Sequence, residues 1–404
     1  MTAGGQHCCI FLIFDYNTVN MRATKAIINL TSLRNNIREI KKLLKAPTKL
    51  CISVKANAYG HGAVECAKVA VEEGADFLAV ATPEEGVQLR NAGINIPIIM
   101  LSLCDPQEVE TVVKNDITPF VFDEEYMQYF AKACQNAGKT GYHVHIAVDT
   151  GMGRIGVRPT EAGKLASAIE KTGTLHVGGI GTHFALSDDT AETSKSYTKT
   201  QFTLFLEAVK AVKDAGIEPG ICHCSNSAAT LDCPEMHLDM VRPGIIVYGY
   251  YADKIDETYL AKKNVSVHLE PVMTLQTKVC SIRSFSKGQS IGYGRTWIAP
   301  EDTDIAVLPI GYGDGMLRRF STKGVSVFIH GKRYPIRGRI CMDQCMVDIG
   351  KNNADVHRWD DVIIFGSEKN GVRQSAEDIA RLTDTISYEI TTGITNRVQR
   401  VFQN

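Results

Sequence analysis

A lysine closes an apolar, strand-like run in this sequence, where Ser53-Val54-Lys55-Ala56-Asn57-Ala58-Tyr59-Gly60-His61-Gly62 passes from β-rich residues into a glycine-containing turn. A lone lysine at a strand end is ordinarily a solvated surface group, so its meaning depends on its company. Asp149-Thr150-Gly151-Met152-Gly153-Arg154 follows a later β-rich run, and Thr182-His183 ends another. Ser225-Asn226-Ser227-Ala228-Ala229 has the residue types of a capped helix start, whose free N–H groups can hold an anion, and Arg242-Pro243-Gly244-Ile245 follows the last run. One by one these read as a helix cap, a turn glycine, a surface arginine and a satisfied structural histidine. Together they place an amine beside a phosphate cradle. That pairing points to a Schiff base between Lys55 and pyridoxal 5'-phosphate, because the aldehyde needs a lysine and the phosphate needs N–H donors such as those near Ser227 and Gly244.

The elements that must position these groups follow from the hydrophobic pattern. Short β-rich runs near 51–55, 77–81, 97–101, 117–121, 143–149, 176–183, 220–224 and 241–248 alternate with helical patterns. Eight strands with crossover helices over roughly 220 residues fit an α/β fold, a (β/α)8 TIM-type barrel of ~250 residues whose function gathers at the carboxyl ends of its strands. A doubly wound sheet is the rival, although no Gly-rich fingerprint follows the first strand. Thr31 is expected to cap the first helix, with Leu33, Ile37, Ile40 and Leu44 on its apolar face. Thr82-Pro83-Glu84-Glu85 and Asp105-Pro106-Gln107-Glu108 each read as a capping box with proline at the first helical position. After about residue 265 the pattern turns to β-rich runs at 272–279, 305–310, 325–329, 345–349 and 361–365, interrupted by a helix from Ser375 to Leu382. The expected organisation is an N-terminal extension at 1–20, a barrel at 21–264 and a mostly β C-terminal domain at 265–404, with a strand at 24–30 packing on that domain.

Composition narrows the partners. The 404 residues are 44% hydrophobic and 22% charged, and no stretch approaches the ~18 apolar residues of a membrane span. Forty-four Lys and Arg against 45 Asp and Glu leave a net charge of -1, without the basic excess that neutralises a nucleic-acid backbone. Twelve cysteines are scattered, several in apolar runs (Cys51, Cys280, Cys341) where a thiol acts as a small hydrophobe, which suits a reducing cytoplasm. Cys222-His223-Cys224 with Cys233 and His237 invites a zinc reading, but no C-x-x-C pair accompanies it and alternate strand residues face opposite ways, so no metal is expected. The apolar run Cys8 to Phe14 lacks the preceding basic residues and following small residues of a signal peptide. The first twenty residues are read as a disordered extension or a start-site artefact.

The Lys55 run resembles the cofactor-lysine motif of the alanine racemase family, and the resemblance runs from about Met21 to the C-terminus. The family pattern is matched in order by the segments already quoted and by Gly292-Tyr293-Gly294, Gly311-Tyr312-Gly313-Asp314-Gly315 and Gly338-Arg339-Ile340-Cys341-Met342-Asp343-Gln344. The resemblance implies the barrel plus β domain, pyridoxal phosphate, and a homodimer whose active sites are completed across the interface. It implies an enzyme that interconverts L-alanine and D-alanine with two bases, supplying D-alanine for peptidoglycan in the cytoplasm. Lys55 would bind the cofactor and act on the D-enantiomer, and Tyr293 from the partner subunit on the L-enantiomer. A phenol with a pKa near ~10 is a weak base at neutral pH, so cations such as Arg154 and the cofactor would have to favour its ionised form. Arg242 would face the pyridine nitrogen, oriented by His183. Tyr59, Asn226, Ser227, Gly244 and Ile245 would hold the phosphate, and Arg154 and the Met342 amide the substrate carboxylate, with Tyr312 narrowing the entrance.

Two departures from the family pattern stand out. Ala147 occupies a position, two before Asp149, where many members carry a carbamylated lysine that positions the arginine. Asn396 stands where a phosphate-binding tyrosine is often found. Rival readings are a racemase of broader scope and a related barrel-plus-β decarboxylase, which also uses a C-terminal-domain cysteine such as Cys341. The Gly292-Tyr293-Gly294-Arg295-Thr296 run favours the racemase. A non-catalytic pyridoxal phosphate carrier would have the barrel without the C-terminal domain.

Overall fold

The computed structural model describes residues 22–367 and 374–404, so the expected extension at 1–20 lies outside the described residues. Strands Lys49–Ser53, Phe77–Val80, Ile98–Met100, Ile117–Val121, Tyr142–Ala147, Leu175–Gly181 and Ile221–His223 lie side by side in parallel, and Met240–Val241 pairs back onto the first. The remaining seam is stitched by Asp239 N donating to Cys222 O at 3.1 Å and Arg242 N to Ser225 O at 2.8 Å. Pairing of the last strand with the first makes a barrel and excludes a doubly wound sheet, whose edges stay apart.

The eighth strand is shorter than the sequence pattern suggests. It ends at Val241, and Ile245–Tyr248 is a buried 3₁₀ turn. An unbroken apolar run cannot by itself distinguish a strand from a buried turn. Asn29, not Thr31, caps the first helix Leu30–Lys42, its side chain accepting from Ser32 N at 2.9 Å. The box at Thr82 forms as its residues require and starts helix Pro83–Asn91. At Asp105 the same residue types make only a turn: Glu108 Oε2 takes the Asp105 amide at 2.7 Å, and the helix begins at Val109.

The C-terminal sheet has nine strands in the order Ser281–Phe285, Thr303–Leu308, Cys345–Gly350, Lys332–Arg337, Ser326–Ile329, Asp361–Phe365, Met273–Lys278, Lys25–Asn29, Gln399–Gln403. The first described strand thus belongs to this sheet, where Lys25–Asn29 runs antiparallel to Met273–Lys278 and parallel to Gln399–Gln403. Helix Ala376–Thr383, capped by Ser375, ties sheet to barrel: the Glu377 carboxylate accepts the Tyr251 amide at 2.6 Å. Helix Ser387–Thr392 then reaches the barrel mouth. No helix among the described residues is long and apolar enough to cross a membrane.

Candidate active site

Lys55 follows the first barrel strand, at its carboxyl end. Beyond it the backbone turns left-handed for four residues, with φ of 50° at Ala56, 55° at Asn57, 53° at Ala58 and 53° at Tyr59. Each L-residue there is strained by about 1–2 kcal/mol, so something must hold the turn. Ala58 N donates to Val54 O at 2.8 Å, Gly60 N to Ala56 O at 2.9 Å, and Ala63 N to the Asn57 side chain at 2.8 Å. The Ala56 amide, pointing away from these, donates to Glu85 Oε1 at 2.6 Å.

The lysine side chain lines a cavity of about 380 Å³ together with Ala147, Arg154, Thr182, His183 and Arg242. Burial, then Arg154, lowers the pKa of its amine, with Glu85 opposing and Arg242 adding to the shift. His183 is neutral: burial, then Arg242, Arg154 and Lys55, push its pKa down to about 3. The Arg154 loop is fixed through its backbone, with Asp149 Oδ1 accepting from Gly151 N at 2.9 Å and Gly153 N at 3.0 Å, and Tyr197 donating to Gly151 O at 2.8 Å. Ala147 leaves the side of the cavity beside this loop free of a lysine, and the arginine itself makes no hydrogen bond or ion pair among the described residues.

Arg242 is buried, and here an expectation is corrected. His183 does not orient it. Arg242 Nη2 donates to Thr182 O at 2.7 Å, and Nη1 lies 2.6 Å from Nδ1 of His223. His183 stands at the strand's end and faces the cavity, whereas His223 points into the barrel beside the guanidinium. His223 Nε2 in turn lies 2.9 Å from His145 Nδ1. Two imidazoles fit inside the barrel because strand Leu175–Gly181 carries glycines opposite them: a Cβ at Gly179 would fall 2.6 Å from the His145 ring and one at Gly181 2.6 Å from the His223 ring. Since a guanidinium only donates, the chain has one polarity. His223 accepts at Nδ1 and donates from Nε2, and His145 accepts at Nδ1 and carries its proton on Nε2. Burial keeps both neutral, His145 down to about 3 and His223 well below the usual histidine range. His145 also lines a cavity of about 720 Å³ at the opposite mouth.

A second group of residues forms a small cradle. Asn226 caps the short helix Ser227–Asp232, accepting from Ala229 N at 3.1 Å. Gly244 N donates to Ser227 Oγ at 2.8 Å, and a Cβ on Gly244 would fall 2.4 Å from the Tyr59 hydroxyl, so only glycine lets the tyrosine close over this turn. Ile245, its side chain wholly buried, opens the 3₁₀ turn behind. Tyr388, from helix Ser387–Thr392, completes the group. Its ring centroid lies 5.7 Å from that of Tyr59; burial, then Tyr59, raises the pKa of its phenol, which the Ser227 hydroxyl counteracts. Sequence reasoning missed Tyr388 and looked instead at Asn396, which is exposed and makes no hydrogen bond among the described residues. The available signal was Ser387-Tyr388-Glu389, an aromatic at the head of a helical stretch. A cradle of hydroxyls and an amide in which any Cβ would clash, beside a cavity holding a desolvated lysine and a buried arginine, fits pyridoxal phosphate.

Tyr293, Tyr312 and Met342 are placed elsewhere. They are 69%, 41% and 52% exposed on the C-terminal domain, and none lines the lysine cavity of the same chain. Gly292 (φ 74°) and Gly294 (φ 72°) flank Tyr293, and side chains there would press on the Arg339 backbone and guanidinium at 3.2 Å, so the pair presents the phenol outward. Tyr312 and Met342 share a rigid unit: Tyr312 N donates to Cys341 O at 3.0 Å and Gly313 N to Met342 O at 2.9 Å. Buried Asp314 anchors it through Arg22 at 2.6 and 2.7 Å, while Arg397 bridges Asp314 at 3.3 Å and Asp343 at 2.6 Å. Cys224 and His237, which the zinc reading would need, are bonded to the Met236 and Thr230 carbonyls at 3.1 and 3.0 Å.

A lysine at the first strand end of a barrel, a cradle of hydroxyls and an amide at its last strands and a β domain appended behind define a barrel-plus-β class of protein with a desolvated amine at the barrel mouth. Residues 28–252 match the N-terminal domain of alanine racemase and residues 272–402 its C-terminal domain. The alanine racemase of Treponema denticola is 46% identical over 95% of this chain and 98% of its own length. Among solved structures, alanine racemase from Clostridium difficile superposes with a TM-score of 0.86 at 38% identity, covering 94% of this chain and 96% of that one. The Bacillus anthracis enzyme, solved with L-Ala-P bound, gives 0.86 at 35% identity, covering 95% of each chain. The chain belongs to the alanine racemase family, a family of isomerases.

Proposed function

We propose that this enzyme interconverts L-alanine and D-alanine with pyridoxal 5'-phosphate, as a homodimer, in the cytoplasm, supplying D-alanine for peptidoglycan. The observation that carries the reading is the Lys55 amine, desolvated and facing two arginines beside the Tyr59–Ser227–Gly244 cradle. When bound, the cofactor supplies an aldehyde that condenses with amines and a ring that accepts the electron pair left on deprotonated Cα. Lys55 Nζ moves the α-proton on one face of the amino acid. The partner subunit's Tyr293 moves it on the other through its phenol oxygen, so inversion needs no rotation of the substrate. The exposure of Tyr293, Tyr312 and Met342 and their absence from the cavity of their own chain support completion of each site by a second copy.

Arg154 and the Met342 amide hold the substrate carboxylate, and Tyr312 narrows the entrance. Tyr59, Asn226, Ser227, Tyr388 and the amides of Gly244 and Ile245 hold the phosphate. Neutral His183, which lines the cavity, would offer the cofactor a hydrogen-bond partner without charge. Arg242 stays cationic and is held by His223 and Thr182, so that beside the cofactor's pyridine nitrogen it would disfavour a proton there and would limit side reactions. Free thiols at the cysteines among the described residues support a reducing compartment.

The test is turnover of a panel of L-amino acids by the purified protein with pyridoxal phosphate, read by chiral chromatography. D-alanine is the expected dominant product, and Lys55→Ala abolishes it. Normal racemisation by Lys55→Ala would overturn the assignment of the lysine. Tyr293→Ala is expected to impair exchange from L-alanine more than from D-alanine; equal losses would remove the two-base scheme.

A further inference from the structure

We infer that Glu85 is a positioning residue for Lys55, one carboxylate clasping both the amide that follows the lysine and the head of the neighbouring helix. The inference rests on the reading of Lys55 given above.

A capping box needs one carboxylate oxygen, returned to the backbone at the helix start. The box at Ser375 shows the ordinary arrangement: Asp378 Oδ2 takes the Ser375 amide at 2.7 Å, and its other oxygen pairs with Arg381 on the surface. Glu85 differs. Its Oε2 alone serves the box, accepting from Ala81 N at 2.7 Å and Thr82 N at 3.3 Å. Its Oε1 crosses to the preceding βα connection and takes Ala56 N at 2.6 Å, the first amide of the left-handed turn. That amide has no carbonyl partner of its own, and the strained turn cannot relax while the carboxylate holds it. The direction in which Lys55 leaves its strand is therefore set from helix Pro83–Asn91.

The same carboxylate acts on the amine by charge. The groups facing Lys55 are Arg154 from the loop after the fifth barrel strand, His183 after the sixth, Arg242 after the eighth, and Glu85. Of these Glu85 is the negative one, and it opposes the arginines that drive the amine toward its neutral form. A capping glutamate remote from the amine would leave the lysine's titration untouched.

The experiment is competitive acetylation of the full chain, freed of cofactor with hydroxylamine, across pH 6–10, with Lys55 labelling read by mass spectrometry against exposed lysines. Glu85→Gln is expected to raise Lys55 labelling at pH 7 severalfold or more, because removing the negative charge that faces the amine lets burial and the arginines lower its pKa further. Thr82→Ala, which weakens the box without touching Ala56, should lower thermal stability and leave the labelling profile alone. A Glu85→Gln profile matching wild type, with only the stability loss of Thr82→Ala, would overturn the proposal. Should Glu85→Gln not fold, Glu85→Asp serves, since Asp378 shows that aspartate can close such a box. Too short to reach Ala56, it should lower kcat severalfold at little change in KM; a wild-type kcat and labelling profile would refute the positioning role. Because the labelling is read on the amine without cofactor, it stands or falls separately from the turnover lost or kept by Lys55→Ala.

Discussion

The left-handed turn after Lys55 makes opposite predictions for two alanines two residues apart. Ala56 is exposed, with φ 50°, and Ala58 is fully buried, with φ 53°. Glycine at either position relieves about 1–2 kcal/mol of left-handed strain and loses about 0.5–1 kcal/mol through the greater freedom of the unfolded chain. At Ala56 nothing else changes, so Ala56→Gly should be more stable than wild type by about 0.5–1 kcal/mol. At Ala58 the lost methyl removes about 0.8 kcal/mol of burial and leaves a small void, so Ala58→Gly should come out neutral or destabilised. Urea midpoints of the cofactor-free proteins at equal chain concentration read the difference, provided the slopes agree. Turnover should move the other way at Ala56: a glycine frees the backbone that aims Lys55, and kcat should fall in the more stable protein. An Ala56→Gly midpoint at or below wild type would mean that the turn stores no strain, and the argument from it would fail.

Three further outcomes follow from other groups. His61, His145 and His183 are held neutral down to about 4, 3 and 3. The unfolded chain protonates its histidines near pH ~6.5, so their contribution is complete above that pH and is lost as pH falls, at up to about 1.4 kcal/mol per pH unit for each; His145→Gln should flatten this acid slope of the denaturation midpoint. Glu377 has the opposite sign. Burial pushes its pKa up to about 7 from 4.5, so its contribution is complete below pH 4.5 and lost as pH rises through 7, and Glu377→Gln should gain stability over wild type at pH 8 but not at pH 4. Tyr388→Phe removes a hydroxyl from the cradle and should weaken pyridoxal phosphate binding by about 1–2 kcal/mol, measured by absorbance titration; unchanged affinity would take Tyr388 out of the phosphate site.

What could be read from the sequence depended on how local each cause was. The strand-and-helix alternation from residue 49 to 241 is written in nearest-neighbour patterns, and the barrel follows once the strand count is known. Thr82-Pro83-Glu84-Glu85 specifies its own helix start because all the partners lie within one turn. Asp105-Pro106-Gln107-Glu108 has the same order of cap, proline and closing glutamate yet yields only a turn, since the apolar face that would anchor a helix begins at Val109. Lys55 was visible as a lysine at a strand end. The left-handed backbone beyond it was not, because Ala56 and Ala58 have no local preference for that conformation and are held there by Glu85 and by contacts made elsewhere.

The histidine chain behind Arg242 shows the same limit from inside the barrel. His145 and His223 lie on strands whose other residues are mostly apolar, and each alone reads as a satisfied core histidine. Arg242 determines which proton each carries, and that order passes through three strands that are far apart in sequence. The one local signal was negative: Gly178, Gly179 and Gly181 in a strand that a barrel would rather fill with branched residues. A glycine-rich strand interior means that something large approaches the backbone, and here the imidazoles do. Replacing Gly181 by alanine would place a methyl 2.6 Å from the His223 ring, too close for any real Cβ, so the imidazole would have to leave Arg242. The arginine would then lose the acceptor that aims it while keeping its charge. That variant therefore separates the two contributions of Arg242: a fall in racemisation with growth of side products would assign selectivity to its orientation, and an unchanged product ratio would assign it to charge alone.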